Sequence, residues 1–573
     1  MFIRVLLRIF NNKQSIHKKE EKFNMKKFAA LLLAVVMVMS LAACGQQGTQ
    51  STPVQAPAES GTSAAAAPEA APAAQEAPAQ ADGPKYGGVL DFADKSDPGT
   101  LDPHYSSGTE TYCWSTNVFE GPISADAEGN YWPNVCDYEY SEDGLTLTLT
   151  VRDGVTFHDG SAVEIEDVAA SIERACILQP NMKKGFGDIL ESASVEDDKV
   201  VYTFTEYNPN TLYYLSYMTI AAIMPKEICE KYGENPIIDT ADCIGTGPYF
   251  IKEYEQGIVY KMDRYDGYVA VPEGHTAEAA PKMAYLDSIN FWINQDESSR
   301  LVSIMNGDYD EAFIEGDNAE MLKQMEYNQI LVGQGKTVYL AFNTKGDRPV
   351  NDVNLRKCIT SLIDIDEMIT INGAEGVDYD PCIVPAGNMY YTDKFAKAEY
   401  LGQDLERAKA YLDASDYNGE EIVILAAKYP KGCMLLESYM KSFGLNVSVL
   451  EMDQEAAKAF WADNSNPYDI MIAGASKVTA YPSLTPSALT STYWGNEQKD
   501  ELFKQLKKEP VGTEKSLELW NEFIDLWIED ASIVCLYNFK NTDMVHKDLV
   551  CDDPGIYFEL RYNYYWTNPE EHQ

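Results

Sequence analysis

The chain has 573 residues, 45% of them hydrophobic, and a formal net charge of −45. That length exceeds what one hydrophobic core supports and predicts two or more lobes. Ninety acidic against 45 basic side chains exclude a basic groove for nucleic acid and any electrostatic attraction of the body to anionic lipid.

Residues 1 to 24 add little, and Met25 is the better start. Lys26 and Lys27 open a short cationic segment, followed by an apolar run from Phe28 to Met39. A run of that length is a leader segment, because a membrane-crossing helix needs roughly 20 residues. It ends in Leu41-Ala42-Ala43-Cys44-Gly45, which resembles the cleavage site of bacterial lipoprotein signals. The resemblance makes residues 1–43 a signal peptide and Cys44 the lipidated first residue of the mature chain. Residues 44–84 are almost all Ala, Pro, Gln, Ser, Gly and Glu, with no aromatic. Such a composition cannot bury enough apolar surface to offset its ordering entropy, so a flexible tether spanning roughly 35 Å is expected.

The body starts near Lys85. Tyr86 to Asp91 reads as a strand, and Leu145 to Arg152 alternates apolar residues with threonine, a half-buried strand. Asp153-Gly154 is a turn. Ser161-Ala-Val-Glu164 has capping-box spacing ahead of a helix through Val168, Ile172, Ala175 and Cys176. Further on, Ile422 to Ala426, Leu445 to Glu451 and Tyr468 to Ala473 read as strands. They alternate with helices Lys431 to Phe443, stopped by Gly444, and Gln454 to Asp463. Two successive crossovers predict a parallel sheet covered on both faces, with ligands favoured at the strand C-terminal ends. Glu514 to Glu529 is an amphipathic helix and Ser532 to Asn538 a strand, while Tyr562 to Trp566 reads as a packed C-terminal strand. The ten cysteines after Cys44 contain no Cys-x-x-Cys pair, so neither a zinc ribbon nor a redox motif is expected. Cys176 and Cys358, among apolar residues, read as core thiols, and mostly unbridged, buried cysteines are expected.

From Leu101 onward a series of motifs runs in order. It comprises Leu101-Asp-Pro-His104, Val118-Phe-Glu-Gly-Pro122, Asp143 to Leu149, Leu149 to Val168, Ile244-Gly-Thr-Gly-Pro-Tyr249, Asn306-Gly-Asp-Tyr-Asp310, Tyr339 to Thr344 and Asp352 to Arg356. Together they resemble the solute-binding proteins of peptide and nickel ABC importers, extracellular solute-binding family 5. The resemblance implies an α/β, two-lobed fold of the periplasmic binding protein-like II type (cluster C) with an extra N-terminal subdomain and a hinged ligand cleft. Lobe I would comprise 85–121, 216–330 and 538–573, the extra subdomain 122–215, and lobe II 335–535. It further implies a monomeric, non-enzymatic receptor that delivers its ligand to ABC permease subunits, with no cofactor and no metal. Held by its lipid on the outer side of the cytoplasmic membrane, it would face the cell surface or periplasm.

Candidate catalytic motifs have plainer readings. His158-Asp159-Gly160 is expected to be a turn into a helix. Gly245-Thr-Gly-Pro248 lacks the Lys-Ser/Thr ending of a phosphate loop and reads as a rigid turn. The five histidines beyond the leader show no His-Glu-x-x-His spacing. Aromatic side chains are the better lead, since they give contact area at little rotamer cost. By the resemblance, Thr109, Tyr112 and Trp114 lie in a cleft-lining segment. Phe186 comes from the subdomain, and Phe460 or Trp461 from lobe II.

Peptide-binding relatives carry an aspartate for the peptide ammonium after the strand ending at Ala473. This chain instead has Gly474-Ala-Ser-Lys-Val-Thr-Ala-Tyr-Pro482, with no acid before the proline. Ser476, Lys477 and Tyr481 are therefore candidate ligand contacts, Lys477 toward an anionic or hydroxyl-rich solute or else a solvated surface residue. A short peptide is the simplest ligand. A saccharide or other non-peptide solute is the first alternative, and a signalling or chaperone-like surface protein without transport the second.

Overall fold

The computed structural model describes residues 83–573 apart from 106–108, 127, 219, 273–275, 277–278, 315, 326, 374–376, 385, 454–455, 458–459, 461–465, 477–492 and 552–560. The leader, Cys44 and most of the tether, like Trp461, Lys477 and Tyr481, lie outside the described residues. Residues 80–573 form one compact unit.

Its backbone is one twisted sheet built from distant parts of the chain. In chain order the strands are β1 (Val89–Asp94), β2 (Tyr249–Glu255), β3 (Val259–Arg264), β4 (Ser288–Ile293) and β5 (Glu311–Ala312). They continue with β6 (Tyr327–Phe342), β7 (Ile422–Ala426), β8 (Val447–Glu451), β9 (Ile470–Ser476) and β10 (Ile533–His546). Across the sheet the order is β8-β7-β9-β6-β10-β5-β1-β4-β3-β2, with Val377–Asp378 pairing alongside β10. As the alternating strand–helix pattern predicts, β7 runs parallel to both β8 and β9.

Period-two alternation explains why that part of the sheet is covered twice. Leu340, Ile424 and Ile472 enter one buried cluster, while their neighbours Tyr339, Leu425 and Met471 enter another. Helix Pro430–Phe443 covers the first face, with Leu436 and Met440 buried, and ends at Gly444 with φ 97°. Helix Glu514–Asp530 covers the second with Trp520, Phe523 and Trp527. A sheet buried on both faces needs apolar residues at every position, which is what Ile422 to Ala426 supplies.

Besides a small cluster around Ile304, Ile314, Leu322 and Met544, two larger cores lie elsewhere in the unit. One packs Leu90, Phe92, Phe291 and Tyr249 with Tyr562 and Trp566 from the far end of the sequence. The other belongs to the inserted four-stranded sheet Cys136–Tyr140, Thr146–Val151, Lys199–Phe204 and Leu190–Glu196, covered by helix Ile165–Leu178. Between the halves run β6 and β10, paired antiparallel over most of their length. Their register shifts between Val332 and Lys336, across Gly333-Gln334-Gly335, and again between Val338 and Tyr339. Bulged, glycine-bearing positions in a strand pair are where a ladder bends most readily.

Several boundaries differ from the sequence expectation. The helix expected to be capped by Ser161 starts at Ile165. Asp167 accepts from the Glu164 amide at 2.8 Å, while the Ser161 hydroxyl donates to Asp159 instead. The Asx turn at Asp159 satisfies Ser161 locally and takes it out of competition for the cap. The first strand is shifted to Val89–Asp94, and the last long strand runs on to His546 because its second half pairs with β5 and the start of β6. Only Tyr565–Trp566 of the C-terminal aromatic run is strand, against Leu549–Val550. None of the ten body cysteines is disulfide-bonded; eight are buried, and Cys176 and Cys551 are half-buried. Burial pushes the Cys176, Cys358 and Cys433 thiols up to about 12, so they stay protonated.

The Gly245 to Pro248 segment is a turn built on close approach. A Cβ on Gly247 would sit 2.5 Å from the Asn117 carbonyl oxygen, and one on Gly245 would sit 2.1 Å from that of Val118. His158 clamps the turn from the inserted subdomain: its Nδ1 accepts from the Gly245 amide at 3.1 Å, and its Nε2 donates to the Gly247 carbonyl at 3.0 Å. Gly247→Ala should cost about 1–3 kcal/mol through forced backbone displacement, read as a lowered urea midpoint. An unchanged midpoint would show that the turn has slack.

Candidate functional site

The inserted subdomain touches the β7–β9 half at two described polar contacts. Tyr207 Oη accepts from the Val511 amide at 3.2 Å, and Asn388 Nδ2 donates to the Glu128 carbonyl at 3.2 Å. Between them lies a cavity of about 440 Å³, within the range that holds small ligands. One wall is Tyr131, Tyr138, Tyr140 and Tyr207, and the other is Met389, Pro510 and Val511. Strand pleating explains the first wall, because Tyr138 and Tyr140 point to one face of Cys136–Tyr140 while Asp137 and Glu139 are exposed on the other. Tyr140 and Tyr138 donate to the Gly144 and Tyr131 carbonyls at 3.1 and 3.0 Å, which fixes the rings. Gly144, at φ 65°, lets Tyr207 close over the turn, since a Cβ there would lie 2.2 Å from its ring. Burial pushes the Tyr140 hydroxyl up to about 12 and raises Tyr131 well above the phenol range. The phenols are therefore neutral donors at ordinary pH.

A second cluster sits at the C-terminal ends of β7 and β9, beside the connecting strand pair. Lys428 follows β7 and donates from Nζ to the Gly474 carbonyl of β9 at 3.0 Å. The position of Tyr429 Oη, 2.7 Å from where a Gly474 Cβ would be, explains the glycine. Lys336, on the bulged stretch of β6, pairs in register with Ser476 and Phe539. The Lys428 ammonium is pushed below its ordinary range by burial first and then by the Lys336 charge. Burial therefore disfavours the charged form of Lys428, which is kept in place by the β9 carbonyl.

The residues expected from sequence are spread over different environments. Tyr112 is 5% exposed and meets the Tyr217 ring edge-on at 5.5 Å, and Tyr217 in turn lies 5.5 Å from Tyr213. Trp114 is fully buried, stacked on Tyr260 at 5.1 Å. Phe186 is also fully enclosed, edge-on to Tyr202 and Phe204 in the subdomain core. Phe460 is half-buried and lies 6.1 Å from Tyr468. Thr109 lies at the start of helix Thr109–Val118 and Ser476 at the end of β9. Tyr112, Trp114, Phe186 and Phe460 do not line the tyrosine-walled cavity. The sequence signal for that wall was the alternation in Asp137-Tyr-Glu-Tyr140, whose facing partner in a distant segment was not readable.

A cavity walled by two lobes, with a bulged strand pair running from one to the other, is the arrangement of a two-lobed solute-binding protein. The chain belongs to the bacterial extracellular solute-binding proteins, family 5: residues 130–497 match the middle part of that family. It is 21% identical over 491 residues to the glutathione-binding protein GsiB of Escherichia coli K12, covering 80% of this chain and 91% of that protein. In fold it is similar to the ABC transporter substrate-binding protein CtaP from Listeria monocytogenes, with TM-score 0.70 and 20% identity, over 84% of this chain and 100% of that one. The oligopeptide-binding protein AppA from Bacillus subtilis, solved with a nonapeptide, matches with TM-score 0.61 and 18% identity, over 85% and 100%. Among the described residues no helix is long and apolar enough to cross a membrane.

Proposed function

We propose that this protein is the receptor of an ABC importer, capturing a small polar solute that carries a carboxylate, most simply a short peptide. The observation that carries the reading is the cavity walled from both sides by Tyr131, Tyr138, Tyr140, Tyr207, Met389 and Val511. A ligand that fills such a space touches both lobes at once, so its binding energy favours closure. Lys428 supplies a charge that a carboxylate seeks, within a chain otherwise strongly acidic. Two similar proteins fit this chemistry, because glutathione and the nonapeptide both carry carboxylates.

Lipid attachment through Cys44 and delivery to permease subunits complete the proposal, as does the absence of turnover. His158, the one histidine of a catalytic-looking motif, has both ring nitrogens engaged by backbone. A saccharide is the second reading, favoured by four tyrosine rings on one wall.

Native mass spectrometry of gently purified protein tests the ligand class: a retained peptide or carboxylate supports the proposal, and a neutral saccharide overturns it in favour of the second reading. Lys428→Met should weaken a carboxylate ligand about 10–100-fold, the worth of a charge-assisted hydrogen bond. Wild-type affinity should fall as pH rises through the lowered Lys428 pKa, because the neutral amine no longer attracts the anion. Calorimetric titration checks both, and equal affinity in the variant would remove Lys428 from the site.

A further inference from the structure

Outside the ligand cavity, three metal-ligating side chains from two separate stretches of sequence converge. His546 ends β10, Asp548 lies in the turn that follows, and His572 comes after the final 3-10 turn Pro569–Glu571. One ligand atom from each lies within 4.8 Å of the others, and all three residues are half-buried. We propose that this cluster is a binding site for a late first-row divalent cation such as zinc, clamping the end of β10 to the tail of the chain.

The rings are held before any ion arrives. The His572 imidazole stacks on the Trp566 indole at 3.5 Å with a 5° interplanar angle, and its carbonyl accepts from the Val89 amide at 2.7 Å. Trp566 is itself anchored, donating from Nε1 to the Val89 carbonyl at 2.9 Å. The His546 amide donates to the Asp310 carbonyl at 2.8 Å, and the Tyr327 ring stands perpendicular to the imidazole at 5.7 Å. The Asp548 amide donates to His546 Nδ1 at 3.3 Å, and the Asp548 carboxylate lies 3.9 Å from the same nitrogen. A ring fixed by stacking or by backbone contacts loses little entropy on binding a metal.

Donor type selects the ion. Two imidazoles and one carboxylate suit zinc and its neighbours, whereas calcium and magnesium require oxygen ligands throughout. Bond lengths of about 2.0–2.1 Å place tetrahedral ligand atoms about 3.3 Å apart, so the three atoms must draw together by up to about 1.5 Å through side-chain rotation. Three protein ligands leave a position for water.

The test uses the full chain, stripped with chelator, and the metal ions alone. Isothermal titration with zinc should give a saturable site, and thermal unfolding should shift upward with zinc concentration by mass action. Cobalt should give visible d–d bands without a thiolate charge-transfer band. His572→Gln and Asp548→Asn should each weaken zinc at least about tenfold, the cost of losing even a ligand's supporting partner. The zinc-free melting temperature of His572→Gln, which also loses the stacking on Trp566, is the baseline from which its zinc-dependent shift is read. Undiminished zinc affinity in the His546→Ala, His572→Gln double variant would overturn the site, as would a thiolate–cobalt band or the absence of any zinc-dependent shift.

Discussion

Replacing Lys282 by methionine is expected to lower stability by about 3–5 kcal/mol, the cost of leaving a buried charge without its partner. Lys282 and Glu120 are 1% and 2% exposed and 2.5 Å apart. Glu120 also accepts from the Tyr268 hydroxyl at 3.0 Å and the Thr246 hydroxyl at 3.1 Å, so one carboxylate joins Val118-Phe-Glu-Gly-Pro122 to three other segments. Without the ammonium, that carboxylate keeps two neutral donors in a site closed to water. The double variant Glu120→Gln, Lys282→Met should recover most of the loss, because a neutral amide needs no counter-charge. Urea unfolding midpoints of both variants check the pair of expectations. A double variant as unstable as the single one would show that the loss is packing rather than charge.

The second large effect is expected in acid. His104, which is buried, and His158, which is half-buried, are lowered to about 4, in each case chiefly by desolvation; for His104 the Arg174 charge adds to this against the opposing pull of Asp102. The sign follows from linkage. An unfolded histidine takes up its proton below about 6.5 while the folded one resists until about 4, so stability falls with pH across that window and levels off below it. Each histidine should account for about 3 kcal/mol between pH 7 and pH 4. Asp310, pushed up to about 7 by burial beside Asp91 and Glu311, acts in the opposite sense over much of the same range. Comparing His158→Gln with the wild type cancels that contribution. The variant should lose about 2 kcal/mol less on acidification, measured by urea unfolding at pH 7 and 4.5. Equal acid losses would place the His158 proton outside the folding equilibrium.

Local pattern made much of the architecture readable. Ile422 to Ala426 is apolar throughout because the strand is covered on both faces, and Gly444 ends its helix in a left-handed conformation. These features depend on neighbours within a few residues. What was hidden depends on partners far away in sequence. Strand β6 extends back to Tyr327 because β10 lies beside it, and its internal Gly333 and Gly335 break the alternation that identifies strands. The tyrosine wall was hidden for the same reason, since Tyr138 and Tyr140 acquire their role only when Met389 and Val511 arrive opposite. Trp114 and Phe186 show the converse. An aromatic residue carries no mark that separates a ligand platform from a core filler, and both are fully enclosed.

The path of β10 also sets a timetable. The Phe342 amide donates to the Ser532 carbonyl at 2.8 Å, so the stretch between them forms a closed excursion that can pack as soon as it is made. The other half waits. Its sheet needs Met544 and Val545 between β5 and β6, and its core needs Tyr562, Tyr564 and Trp566. A chain that emerges amino end first therefore holds β1, β4 and β5 with an exposed, pairing-competent edge until the final segment appears. The half of the protein begun first is finished last. Holding the chain unfolded until it is released whole shortens that interval, during which stray strands could add to the open edge.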